Sequence, residues 1–216
     1  MQMNTKKICV LALLSALAFI AMVFGRVPVV LFLKYDPKDV IITIGGFLYG
    51  PLAAFAITAT VSLVEMITVS ETGIIGLLMN IIAGCSFACT ASFIYQKNRN
   101  LKGAIFGLIA AWILTTVVMV MWNYLITPIF MKVPREQVVS LLLPAFIPFN
   151  LLKGGLNAAI TMLLYKPVKT AIKASRMMVS LEEKEYKGKV NVGVVIASLF
   201  IIATCILWVL ALQGRI

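Results

Sequence analysis

Residues 40–69 read VIITIGGFLYGPLAAFAITATVSLVEMITV. This run decides the fold. A single helix crosses a bilayer core with about 20 residues, so the run is too long for one span and short for two full ones. Gly50-Pro51 sits inside it and signals a turn. Basic loops settle the choice, because cytoplasmic loops carry the excess of Lys and Arg. Lys6 and Lys7 precede the first apolar run, 8–25. Lys97, Arg99 and Lys102 follow the run at 74–95. Lys166, Lys169, Lys173, Arg176, Lys184, Lys187 and Lys189 follow the run at 144–165. If 40–69 were one helix, the loop at 96–102 would face outward. With two helices joined at Gly50-Pro51, 12 Lys/Arg fall on the cytoplasmic side against 6 outside, and Lys153 lies in a span. The N-terminus is then inside. Helix 2, about 40–49, would rise only about 15 Å. It cannot cross alone, so the long loop 26–39 should fold back to cover its outer end.

Further apolar runs at 103–127 and 191–212 complete the chain. The expected architecture is an all-α integral membrane protein: a six-helix bundle over residues 1–172, a charged cytoplasmic linker over 173–189, and a seventh membrane helix within 190–216. The first run reads as a retained helix rather than a signal peptide, since more spans follow it. Composition agrees. Of 216 residues, 62% are apolar and 12% charged. A soluble domain has about a quarter of its residues charged. The net charge of +11 belongs to loop asymmetry and not to nucleic-acid binding. No inverted repeat is evident.

Histidine is absent, which excludes Ser-His-Asp and Cys-His triads, HExxH zinc sites and histidine haem ligation. No catalytic residue and no metal ligand is therefore assigned. Cys9, Cys85, Cys89 and Cys205 all lie in apolar runs and read as packing residues. No GxxxxGK[ST] loop is present, and no chain of acids suited to proton relay.

Two ionisable residues stand inside spans: Glu65 late in helix 3 and Lys153 early in helix 6. Such groups are costly in lipid and face the protein interior. Asn80, Asn123 and Asn150 lie at the same outer level. Asn150, Lys153 and Asn157 share one helix face. Gly154 and Gly155 beside them would admit a flat ligand or another backbone. Trp122, Tyr124, Phe146 and Phe149 add aromatic area. This is the chemistry of a pocket for a planar, hydrogen-bonding molecule. The competing account is interhelical glue, with Lys153 snorkelling or paired with Glu65 and the aromatics forming an interfacial belt. On helix 1, Ala12 and Ala16 are spaced for close helix approach, to an internal neighbour or to an external partner.

Specific segments then carry a resemblance. Phe32-Leu-Lys-Tyr-Asp-Pro-Lys-Asp39 leads into a short helix 2 ending Gly-Gly-Phe-Leu-Tyr-Gly-Pro51. Trp122-Asn-Tyr124 ends helix 5, and Pro148-Phe-Asn-Leu-Leu-Lys153 opens helix 6. Over residues 5–172 the chain resembles the riboflavin-specific S components of energy-coupling factor (ECF) transporters. The resemblance implies six helices and a riboflavin site near the outer face, with Asn123, Asn150 and Lys153 on the flavin. It implies a first loop, Leu33, Lys34, Tyr35 and Asp36, that lines and caps the site. Glu65 and Asn80 join these as substrate-binding candidates from the reading of the spans. The resemblance further implies that Ala12 and Ala16 dock a membrane T component, and that two cytoplasmic ABC ATPase subunits supply the missing P-loop. Riboflavin would be the transported ligand, with FMN as a second candidate and no resident cofactor. The setting would be the plasma membrane of a bacterium. The seventh helix departs from this six-helix pattern. Other readings are an S component for thiamine, biotin or a folate, an intramembrane enzyme, and a membrane adaptor with no small ligand.

Overall fold

The computed structural model describes residues 5–31, 33–70, 72–174 and 192–212. Most of the linker expected over 173–189 lies outside the described residues. Helix α1 is Thr5–Gly25, α2 Lys38–Tyr49, α3 Pro51–Thr68, α4 Gly73–Lys97 and α5 Leu101–Met131. Helix α6 covers 135–174 as Arg135–Leu141, a π turn Leu142–Phe146 and Ile147–Ala174, and α7 is Val192–Leu212. A second π turn, Cys85–Cys89, interrupts α4. Six of these helices, all but α2, are long and apolar enough to cross a membrane.

The split at Gly50-Pro51 has a local cause. Gly50 has φ +98°, a left-handed conformation costly for any residue with a Cβ. Its N–H closes α2 on Gly46 O at 2.7 Å. Pro51 opens α3, where its missing N–H costs nothing. Helix α2 has 12 residues. At that length it rises about 18 Å. It survives because it is buried all round: Lys38 through Leu48 include only one residue, Ile41, outside the buried set. It packs on α1, α3, α4 and α6 and is the central post of the bundle.

Three apolar clusters hold that post; in one, Val40, Ile44 and Leu48 meet Ile160 and Val168 of α6. Val10, Leu14 and Ala18 of α1 meet Ile42, Ala54, Ile57, Val61 and Ala88. Phe47 of α2 meets Phe87, Ala91 and Tyr95 of α4 and Ala104, Leu108 and Ala111 of α5. Alanines at these contacts let helices approach closely, the usual membrane solution where lipid gives no hydrophobic drive to association.

The structure adds one element that hydropathy does not show. The loop expected to fold back does so as an antiparallel hairpin, β1 Val27–Val30 and β2 Leu33–Tyr35, with Val27 opposite Tyr35 and an irregularity between Pro28 and Val30. Leu31 at its tip is left-handed, φ +51°. The hairpin lays Val29 and Leu33 on Val138, Phe146 and Phe149 of α6. Helix α7 packs along α6.

Candidate functional site

A cavity of about 400 Å³ opens between the C-terminal half of α5, the N-terminal half of α6, the α3–α4 corner and the hairpin. Small-molecule sites span about 300–1,000 Å³, so the volume is of the right order. Glu65, Asn80, Asn123, Asn150, Lys153, Leu33, Lys34 and Asp36 all line it, as do Arg26, Asp39, Thr115, Trp122, Phe149 and Asn157. Tyr35 is not on the lining. It stands behind the wall, where its hydroxyl donates to Asn157 Oδ1 at 3.2 Å.

The charges are denser than two isolated residues. Glu65 accepts a short contact from Arg26, a hydrogen bond from Lys38 Nζ at 2.5 Å and one from Asn80 Nδ2 at 3.0 Å. Lys38 Nζ also lies 3.9 Å from Asp36 Oδ2. Lys153 pairs with Asp39 Oδ2 at 3.4 Å, not with Glu65, and Asn157 Nδ2 donates to the same oxygen at 3.3 Å. Glu65 is therefore not a lone acid. Three acids, Asp36, Asp39 and Glu65, balance three bases, Arg26, Lys38 and Lys153, at one end of the bundle. The balance is required, because a buried ion left without a partner costs roughly 3–5 kcal/mol. Sequence reasoning missed Arg26, Lys38 and Asp39 as site residues, since they lie at the ends of a loop and outside the apolar spans in which ionisable groups stand out.

Two groups of the hairpin region are electrostatically displaced. Burial alone would raise the Asp36 carboxyl, but Lys153, Lys38 and Arg26 outweigh it and hold it below the ordinary carboxylate value. Burial, with Asp36 and Asp39 adding, pushes the Tyr35 hydroxyl well above its usual value. It stays protonated and remains a donor.

The amides are anchored on their own helices. Asn123 donates to Met119 O at 2.7 Å and accepts from Thr127 at 2.9 Å, while Asn150 donates to Phe146 O at 2.7 Å. Each retains a second amide hydrogen. Among the described residues, Arg26 Nε, Asp36 Oδ1, Asp39 Oδ1 and Thr115 Oγ1 are buried and have no hydrogen-bond partner within the protein. An orphaned buried polar atom costs about 1–3 kcal/mol. Four of the seven such atoms among the described residues border this one cavity, where a polar ligand would satisfy them.

Two expectations are corrected. Gly154 lines the cavity, but the space its missing Cβ leaves, and that of Gly155, faces Trp112. A Cβ on Gly154 would overlap Trp112 Cδ1, so the indole lies directly on the glycine. Tyr124 is 39% exposed and lies under the Arg135 guanidinium at 5.1 Å, away from the cavity. Trp122 and Phe149 supply the aromatic wall together with Phe87 and Phe130, which the sequence reading did not single out. On α1, Ala12 and Ala16 are exposed beside Leu13, Leu17 and Ile20, so none of the described residues covers their face.

This geometry agrees with what the sequence matches. Residues 6–165 match the profile of the family described as "ECF transporter, substrate-specific component". The chain belongs to this family of S components. Relatives include the riboflavin transporter RibU of Streptococcus thermophilus, 29% identical over 78% of this chain and 85% of that protein. The riboflavin transporter FmnP of Bacillus subtilis is 29% identical over 81% of this chain and 97% of its own. RibU of Staphylococcus aureus is 30% identical over 80% of this chain and 95% of its own. A solved structure described as the S component of a bacterial ECF transporter superposes with a TM-score of 0.67 at 31% identity, covering 79% of this chain and 99% of that one. As an S component the chain is a multi-pass membrane transport subunit, not an enzyme, and associates with a T component and ATPases on separate chains. Helix α7 lies beyond the residues that match the family.

Proposed function

We propose that this S component captures riboflavin in the cavity under the hairpin and presents it for ATP-driven uptake. The observation that carries the reading is that three relatives, each covered over at least 85% of its length, are all named as riboflavin transporters. The cavity's chemistry supports it. A flavin offers a flat apolar ring to Trp122 and Phe149, a carbonyl and imide edge to the free amide hydrogens of Asn123 and Asn150, and hydroxyls to charged neighbours such as Lys153. Glu65 and Asn80 hold the far wall, and Leu33, Lys34 and Asp36 close the hairpin side. Tyr35 acts from behind through Asn157. FMN is a second flavin for the same titration, and no resident cofactor is required.

The exposed Ala12/Ala16 stripe of α1 is the proposed docking face for the T component, with two cytoplasmic ABC ATPases completing the complex. Helix α7 packs on α6 whereas α1 packs on α2 and α3, which leaves the stripe uncovered. The excess of basic residues at the opposite end of the bundle from the cavity supports a cytoplasmic N-terminus and a cavity facing outward. The three relatives are bacterial, in keeping with a bacterial plasma membrane.

The test is a riboflavin fluorescence-quenching titration of purified wild type, Lys153→Ala and Asn150→Ala. Each loses a hydrogen-bonding group in a buried site, so affinity should fall about ten- to hundredfold. Unchanged affinity in folded variants would remove these residues from the site.

A further inference from the structure

Helix α7 lies outside the family match, and most of its surface is exposed and apolar: Ile196, Leu199, Phe200, Ile206 and Leu207 all face away from the bundle. A helix that only crossed the membrane would need nothing more. Its other face is specific. Ser198, Ile202, Cys205 and Val209 recur at intervals of four, three and four, which places them on one side. Ser198 and Cys205 are buried. Cys205 joins Leu152 and Leu156 of α6 in a small core, and Ile202 and Val209 pack against it.

Tyr35 of the hairpin packs against that same core. Tyr35 and Val209 also both pack on the neighbouring cluster of Val29, Leu33, Val138, Phe146 and Phe149. The two side chains therefore share one apolar seat where α7, α6 and the hairpin meet. From there the path to the cavity is short. Tyr35 donates to Asn157 at 3.2 Å, Asn157 donates to Asp39 at 3.3 Å, and Asp39 pairs with Lys153 at 3.4 Å.

The hairpin needs such support. Its strands have four and three residues, the pairing is irregular, and Leu31 holds a left-handed conformation at the tip. A lone two-stranded hairpin of this size is marginal in water. Its position must come from what it packs on.

We infer that α7 is a brace for the hairpin over the cavity, and that Val209 is a positioning residue that acts on the ligand through Tyr35. A braced hairpin keeps the ligand in. Loosening the brace frees the lid and speeds release, while the polar contacts inside the cavity are untouched. Its kinetic readout rests on the riboflavin reading; its structural readout does not.

The experiment uses the full chain in mild detergent. Riboflavin release is followed by the return of its fluorescence on dilution into excess competitor, for wild type, Val209→Ala, Val209→Ile, Tyr35→Ala and the double variant Val209→Ala/Tyr35→Ala. Amide hydrogen exchange of residues 27–35 is measured on the ligand-free proteins. Val209→Ala deletes two methyl groups from the shared seat, so release should quicken about fivefold and exchange in 27–35 should rise with it. Val209→Ile should restore both. In the Tyr35→Ala background, Val209→Ala should add nothing, since coupled residues are non-additive. Leu199→Ala, on the exposed face, should behave as wild type. The brace is overturned if folded Val209→Ala matches wild type in both measurements. It is equally overturned if Val209→Ala speeds release by the same factor with and without Tyr35. If wild type binds no riboflavin at all, the substrate reading has failed, and hydrogen exchange alone decides the brace.

Discussion

The two ends of the bundle are built by opposite rules. At the cavity end, six ionised side chains and four amides surround open volume, and several polar atoms lack a partner within the protein. At the other end, Phe47 stacks on Tyr95 with centroids 4.5 Å apart, and Tyr165 meets both rings edge-on at 5.5 and 5.6 Å. The Tyr95 and Tyr165 hydroxyls bond each other directly. Nearby, a Cβ on Gly46 would overlap Ser92 Oγ, so α2 and α4 touch there without any gap. One end spends stability on unsatisfied polar groups; the other is packed shut. Among the described residues, the same helices thus carry a receptor end and a plug end.

The contrast breaks hardest at Glu65. Glu65→Gln removes the anion that holds Arg26 and Lys38, leaving the buried Lys38 with Asp36 at 3.9 Å as its remaining acid among the described residues. The expected loss is about 3–5 kcal/mol of stability, seen as a large fall in thermal unfolding temperature in detergent, together with lost flavin binding. An unfolding temperature equal to wild type would mean the network does not hold the receptor end.

Gly154→Ala ranks second. Its new methyl group would collide with Trp112. The indole must then move, at a cost of about 1–3 kcal/mol. Tryptophan fluorescence should shift along with the unfolding temperature. An unshifted spectrum would mean that the indole does not rest on this glycine.

The plug end gives the complementary test. Tyr165→Phe removes one hydroxyl from the aromatic cluster, for about 1 kcal/mol of stability, and should leave riboflavin affinity unchanged. A tenfold change in affinity would show that the two ends are not separate.

These cases also separate what the chain displays from what only folding supplies. Helix number and the break at Gly50-Pro51 follow from hydropathy and loop charge, which are local and additive along the sequence. The gathering of Glu65, Asn80, Asn123, Asn150 and Lys153 at one level follows from counting residues along each span. Partners do not follow. Lys153 finds Asp39 across 114 positions, and Trp112 finds Gly154 across 42, through packing that no spacing rule encodes. The hairpin is hidden because Val27–Tyr35 is apolar and too short to show a strand period. The exposure of Ala12 and Ala16 is equally invisible, since an alanine stripe serves an internal or an external neighbour alike.

The smallest effect is with pH. The Asp36 carboxyl is held below its ordinary value by Lys153, Lys38 and Arg26. Its contribution is fully present above the unfolded value, about 3.9. It is lost only as pH falls through the lower folded value. From this group, stability should be flat between about pH 5 and 8 and decline only under strong acid. An Asp36→Asn variant should lack that acid limb. A wild-type decline beginning near neutrality that Asp36→Asn abolishes would contradict the assignment.

The most direct test of the receptor end needs only the protein and light. The chain is purified in mild detergent from cells grown with riboflavin, and its visible absorption is recorded against protein concentration. A riboflavin site at the receptor end gives a yellow preparation carrying flavin near one per chain, with the fluorescence of added riboflavin quenched once the bound flavin is removed. A colourless preparation that leaves added riboflavin fluorescence unquenched would contradict it, and would point the same cavity at a different vitamin.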